Sequence, residues 1–181
     1  HNVKSDRHQA SQVDDVRIYN RALSEEEVSA LYDLEKPEVK ATDLSKPPVS
    51  GAIKWNDHWY KVLPPEANFE TAKTKCQQLG GHLAYVETEP ENTFLIGLIR
   101  DSKLYTANTP AYDTAYLGAT DKNREGSWIW LNTKPVTKFF WGPGEPNNEG
   151  GVEEILLLNA VLGSWNDGGR NNAHLIICEW E

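Results

Sequence analysis

Ten consecutive residues, EPNNEGGVEE at 145–154, concentrate oxygen ligands in one stretch: Glu145, Asn147, Asn148, Glu149, Glu153 and Glu154 end in carboxylates or amides, with no Lys or Arg among them. A second polar cluster, SWND, follows at Ser164–Asp167. Four bare carboxylates in one loop repel one another, so something must make them tolerable. A solvated acidic loop would do so, since exposed charges cost little. That reading leaves unexplained both the proline between Glu145 and Asn147 and the second cluster. A hydrolase built on paired carboxylates needs one of them kept protonated by apolar surroundings, and this stretch offers no such asymmetry. A hard cation answers best: calcium takes 6–8 oxygens from carboxylates, amides and carbonyls. Asn amides beside carboxylates, without His or Cys, select calcium over zinc. The ion supplies the missing positive charge.

Composition narrows the alternatives. Net charge is −9 over 181 residues, with a pI near 5.1, which argues against nucleic acid as a partner because phosphate binding needs a basic face. No apolar run approaches the roughly 18 residues needed to cross a membrane. The chain has no GxSxG, HExxH, Cys/His pair or phosphate-cradling glycine loop, so an enzyme is not expected. The two cysteines, Cys76 and Cys178, allow one disulfide or two buried thiols, and their number alone leaves both open.

The elements that must position the loop read as one compact domain behind a leader. Residues 14–35 suggest a strand and a helix, with Ser24 and Glu27 as a capping box. Residues 37–51, with three prolines, read as an extended linker. From residue 52 the pattern tightens. IKWNDHWYKVL alternates like a strand, and Asn68 caps a helix whose apolar face is Phe69, Ala72, Cys76 and Leu79. Thr88 and Glu91 form another capping box, with Pro90 in the first turn, ahead of Phe94, Leu95, Leu98 and Ile99. AYLGAT, SWIWL, KFFW, EILLLNAVL and AHLIICEW follow as strands separated by long loops. The expected class is α+β: two helices packed on antiparallel sheets, with a long calcium-binding loop.

GHLAYVETEPENTFL, AYLGATDKNREGSWIWL, FFWGPGEPNN and SWNDGGRNNAHLIICEW, in that order, resemble a C-type lectin domain over 52–181. Glu-Pro-Asn and Trp-Asn-Asp together mark that family's sugar-binding members. The leading DDVRIYNRALS resembles the C-terminal end of a laminin-G-like, concanavalin-like sandwich, making 1–36 a remnant of such a domain.

The resemblance implies Glu145, Asn147, Glu153, Asn166 and Asp167 as ligands of a principal calcium, and a cis Glu145–Pro146 bond. Glu145, Asn147, Glu153 and Asn166 would also bond the sugar. Asp121, Glu125, Asn148 and Glu154, with Glu153, would form an accessory calcium site. Glu-Pro-Asn resembles the mannose type, which takes vicinal hydroxyls as on mannose, fucose, glucose or N-acetylglucosamine. Glu149 and Gly150 stand where the galactose type tends to place an aromatic. Cys76 and Cys178 match the whole-domain disulfide, implying an oxidising, secreted or cell-surface location. Ile155 and Arg170 occupy the positions of a second family disulfide, leaving the loop more dependent on calcium. Gly168-Gly169 offers no side chain to a ligand, so intrinsic sugar affinity should be low and supplemented by avidity. The implied function is calcium-dependent glycan recognition or adhesion. The alternative is a lectin-like module that holds calcium structurally and binds a protein. Trp128, Trp130, Trp141, Trp165 and Trp180 read as core, and His82 and His174 as packed rather than ligating.

Overall fold

The computed structural model describes residues 22, 24 and 44–181. The chain divides into His1–Lys40 and Ala41–Glu181. The sandwich-remnant reading of 1–36 lies outside the described residues, apart from Ala22 and Ser24. The end of the expected linker is not extended. Residues 44–51 form turns, with Leu44 and Val49 packed on core side chains and the Trp59 indole Nε1 donating to the Leu44 carbonyl at 2.9 Å.

β1 (Ile53–Trp55) and β2 (His58–Glu66) form a hairpin, turned by Asn56 in the left-handed region that Asn tolerates. α1 (Phe69–Gln78) follows; its cap is reciprocal, Asn68 Oδ1 accepting from Thr71 N and Thr71 Oγ1 accepting from Asn68 N. β3 (His82–Leu83) leads to α2 (Glu89–Arg100), where Thr88 Oγ1 accepts from Glu91 N. The returning half of that expected box goes elsewhere: Glu91 accepts from the Glu87 N–H and from the buried Tyr60 hydroxyl. A third helix, α3 (Pro110–Asp113), is one turn long and escaped the sequence reading. β4 (Thr114–Thr120), β5 (Ile129–Trp130), β6 (Glu153–Asn159), β7 (Ser164–Gly169) and β8 (His174–Trp180) complete the chain.

The sheet runs β1-β2-β8-β4-β6-β7, with β3 on β8 and β5 on β4. It is mixed, because β4 and β8 pair parallel through Ala115–Leu175 and Tyr116–Ile176. Every residue of β8 is buried, and its side chains alternate between two cores. Leu175 and Ile177 join Tyr60, Leu95, Ile99, Leu117 and Trp165. Ile176, Cys178 and Trp180 join Phe69, Ala72, Cys76 and Leu83 under α1. Cover on both faces explains why HLIIC is a continuous apolar run instead of an alternating one. Trp128, Trp130, Trp165 and Trp180 are buried and Trp141 half-buried, as expected of core residues.

Candidate functional site: the acidic loop over β6 and β7

Asp167 lies on β7 with no exposure. Its oxygens accept from two successive backbone amides, Asn147 N at 3.1 Å and Asn148 N at 2.7 Å. The loop strand is therefore folded onto this carboxylate. Pro146 aids the bend, the Glu145–Pro146 bond being cis. Asn148, in the left-handed region, turns the chain into a short 3-10 segment, Glu149–Gly151. Its amide oxygen accepts from Glu153 N, its amide nitrogen donates to Glu125, and Glu149 N donates to Glu153 Oε2 at 2.8 Å. Asp121 is buried, and its Oδ2 accepts from Gly126 N at 2.8 Å.

The electrostatics are those of crowded anions. Partial burial, followed by repulsion from Asp167, raises the Glu145 carboxyl above its ordinary value. Glu153 is raised by burial and by Asp167, against the opposing Glu149 N–H. Burial raises Asp121, with Asp167 and Glu154 adding to it. Glu145 Oε2 is buried without a hydrogen-bond partner. The donors are all oxygens, and the deepest is already oriented by backbone amides. They fit a hard divalent cation, which would relieve the repulsion and satisfy the orphaned oxygen.

Glu145, Asn147, Glu153 and Asp167 are linked by these bonds and repulsions, and Asn166 precedes Asp167 on the same strand. Glu125 and Asn148 join the group through their mutual hydrogen bond. Glu154 behaves differently, because its carboxylate is paired with the Arg170 guanidinium. The sequence reading missed that neutralisation, because Arg170, just after β7, meets Glu154 at a register shift near the start of β6 that carries no local sequence signal. The thiols of Cys76 and Cys178 are free in this structure and fully buried; interaction with Cys76, followed by burial, pushes the Cys178 thiol far up.

The lectin C-type domain model matches residues 66–180. This chain belongs to the C-type lectin domain family. The C-type lectin domain is 32% identical over 126 residues to perlucin of Haliotis laevigata, covering 68% of this chain and 76% of that protein. It is 35% identical over 117 residues to pulmonary surfactant-associated protein D of Sus scrofa, covering 64% of this chain and 29% of that longer protein. Among solved structures, the mouse scavenger receptor C-type lectin carbohydrate-recognition domain matches with a TM-score of 0.64 and 27% identity, over 74% of this chain and 97% of that one. A calcium-independent type II antifreeze protein shares the fold at 20% identity, with a TM-score of 0.61, covering 73% of this chain and 92% of that one. The C-type lectin-like α+β fold is thus that of the structural neighbours, with three α-helices among the described residues and a mixed sheet in place of the expected two helices and antiparallel sheets. The family is a carbohydrate-binding, non-enzymatic one whose members generally bind calcium. Because calcium-independent relatives exist, the calcium reading of this lectin domain rests on its own donor set. Among the described residues, no helix is long and apolar enough to cross a membrane.

Proposed function

We propose that the domain binds glycans through calcium, with mannose-type selectivity, as a recognition or adhesion module of a larger secreted or cell-surface protein. The observation that carries this reading is the convergence of Glu145, Asn147 and Glu153 on the buried Asp167, with the nearby guanidinium already engaged by Glu154. Calcium would supply the positive charge and coordinate two neighbouring sugar hydroxyls. Glu145 and Glu153 then accept hydrogen bonds from those hydroxyls, and the Asn147 and Asn166 amides donate to them. Bonds to ionised acceptors are the stronger kind. Asp167 holds the ion and the loop together.

An accessory calcium would draw on Asp121, Glu125 and Glu153. Asn148 and Glu154, expected to join it, are engaged by protein groups, so this second site should be the weaker. The Cys76–Cys178 disulfide and the laminin-G-like reading of residues 1–36 belong to the same extracytoplasmic proposal.

The deciding test is retention on immobilised mannose with millimolar calcium, release by a chelator, and a galactose resin as control. Mannose-only, chelator-released binding is expected. The double substitution Glu145→Gln with Asn147→Asp should move retention towards galactose. Failure on both resins, with calcium still raising the melting temperature, would move the assignment to a protein partner.

A further inference from the structure

A second set of metal-binding groups lies away from the acidic loop, where the start of β2, β3 and the end of β8 meet. Glu179 is 1% exposed. Its Oε1 lies 2.5 Å from His58 Nδ1 and 3.0 Å from the Tyr60 hydroxyl oxygen, while Oε2 accepts from Tyr85 N at 2.8 Å. Single ligand atoms of His58, Glu179 and Glu181 all fall within 4.8 Å of one another. They line a surface cavity of about 200 Å³.

His82 adds an independent observation. Its Nδ1 is 3.0 Å from the Leu83 carbonyl, which can only accept, so Nδ1 carries the hydrogen. The ring's other nitrogen, Nε2, lies on the side of Glu181. This Nε2 is buried, makes no hydrogen bond, and sits 3.5 Å from Glu181 Oε1, itself an acceptor. A cation between Nε2 and Glu181, a proton or a metal ion, would satisfy both. An imidazole oriented by a carbonyl on its far nitrogen is the usual setting of a metal-ligating histidine.

We propose that His58, Glu179 and Glu181 bind a divalent transition metal of the zinc class, with His82 Nε2 standing beside Glu181. An imidazole nitrogen with two carboxylates suits zinc and disfavours calcium. Zinc–nitrogen and zinc–oxygen bonds of about 2.0–2.2 Å are within reach of small side-chain movements, since His58 and Glu181 are partly exposed. The metal takes the place of the hydrogen shared by His58 and Glu179, and that proton leaves to solvent. The bound ion would staple the start of β2 to the end of β8.

The experiment is calorimetric titration of the full chain with zinc alone, in excess calcium so that the acidic loop is saturated. One zinc equivalent is expected. His58→Gln and Glu181→Gln should each weaken it about tenfold or more, and Glu181→Gln should leave the zinc-free melting temperature unchanged. Cobalt in place of zinc should give the visible absorption of a tetrahedral nitrogen–oxygen site, and both variants should lose it. No saturable zinc binding, or zinc and cobalt binding unaltered in both variants, overturns the proposal. Glu181 is half-exposed, so its variant keeps the test informative should His58→Gln fold poorly.

Discussion

Asp167 gives its carboxylate two tasks, pinning the Asn147 and Asn148 amides and presenting charge to the proposed ion. Burial first, and the Asp167 charge after it, hold Glu145, Glu153 and Asp121 above their ordinary values in the ion-free fold. A raised folded value stabilises at low pH and loses that contribution as pH rises through it. These groups therefore oppose the ion-free fold at neutral pH, and calcium removes the opposition. As pH falls, protons compete with the ion, beginning above the ordinary Glu value of about 4.3. The calcium-induced rise in melting temperature should shrink steadily between about pH 7.5 and 4.5; an unchanged increment would refute the carboxylate site. Most of this residue set was legible, because Glu-Pro-Asn and Trp-Asn-Asp name their residue types directly. The Arg170–Glu154 pair was not, because it depends on a register shift between β6 and β7 that no local pattern encodes.

At the scale of elements, β4 crosses close to the chain after β3. Gly118 N donates to the Ala84 carbonyl, and a Cβ at Gly118 would fall 2.6 Å from the Leu83 carbonyl oxygen. Backbone cannot yield as a side-chain tip can, so Gly118→Ala should cost about 1–3 kcal/mol in urea unfolding. Gly97, inside α2, meets nothing within 4 Å of its virtual Cβ, and Gly97→Ala should instead stabilise by about 0.5–1 kcal/mol. Opposite signs from one substitution type would separate crowding from helix propensity. α1 and α2 could be read from their caps and apolar stripes. α3 could not, since a single turn has no period. The parallel β4–β8 pairing was equally hidden: its partners stand about sixty positions apart, and β8, covered on both faces, shows no alternation.

At the scale of the whole molecule, Cys76 on α1 and Cys178 on β8 meet inside the second core. Closing them would restrain a loop of roughly 100 residues, for which chain-entropy estimates give about 4.7 kcal/mol. Protein prepared under oxidising conditions should resist thiol labelling under denaturation and melt several degrees lower once reduced. Full labelling of both thiols, with identical melts, would place the domain in a reducing environment. The sheet order carries a different consequence. β1 and β2, where the lectin unit starts, lie beside β8, where it finishes, with Trp59 opposite Trp180. The polypeptide thus enters at β1 and leaves at β8, two strands apart on one side of the sheet. Such a unit behaves like a plug with both wires on one side: it can be spliced into a host chain, duplicated, or recircularised through a short bridge, without its interior registering the change.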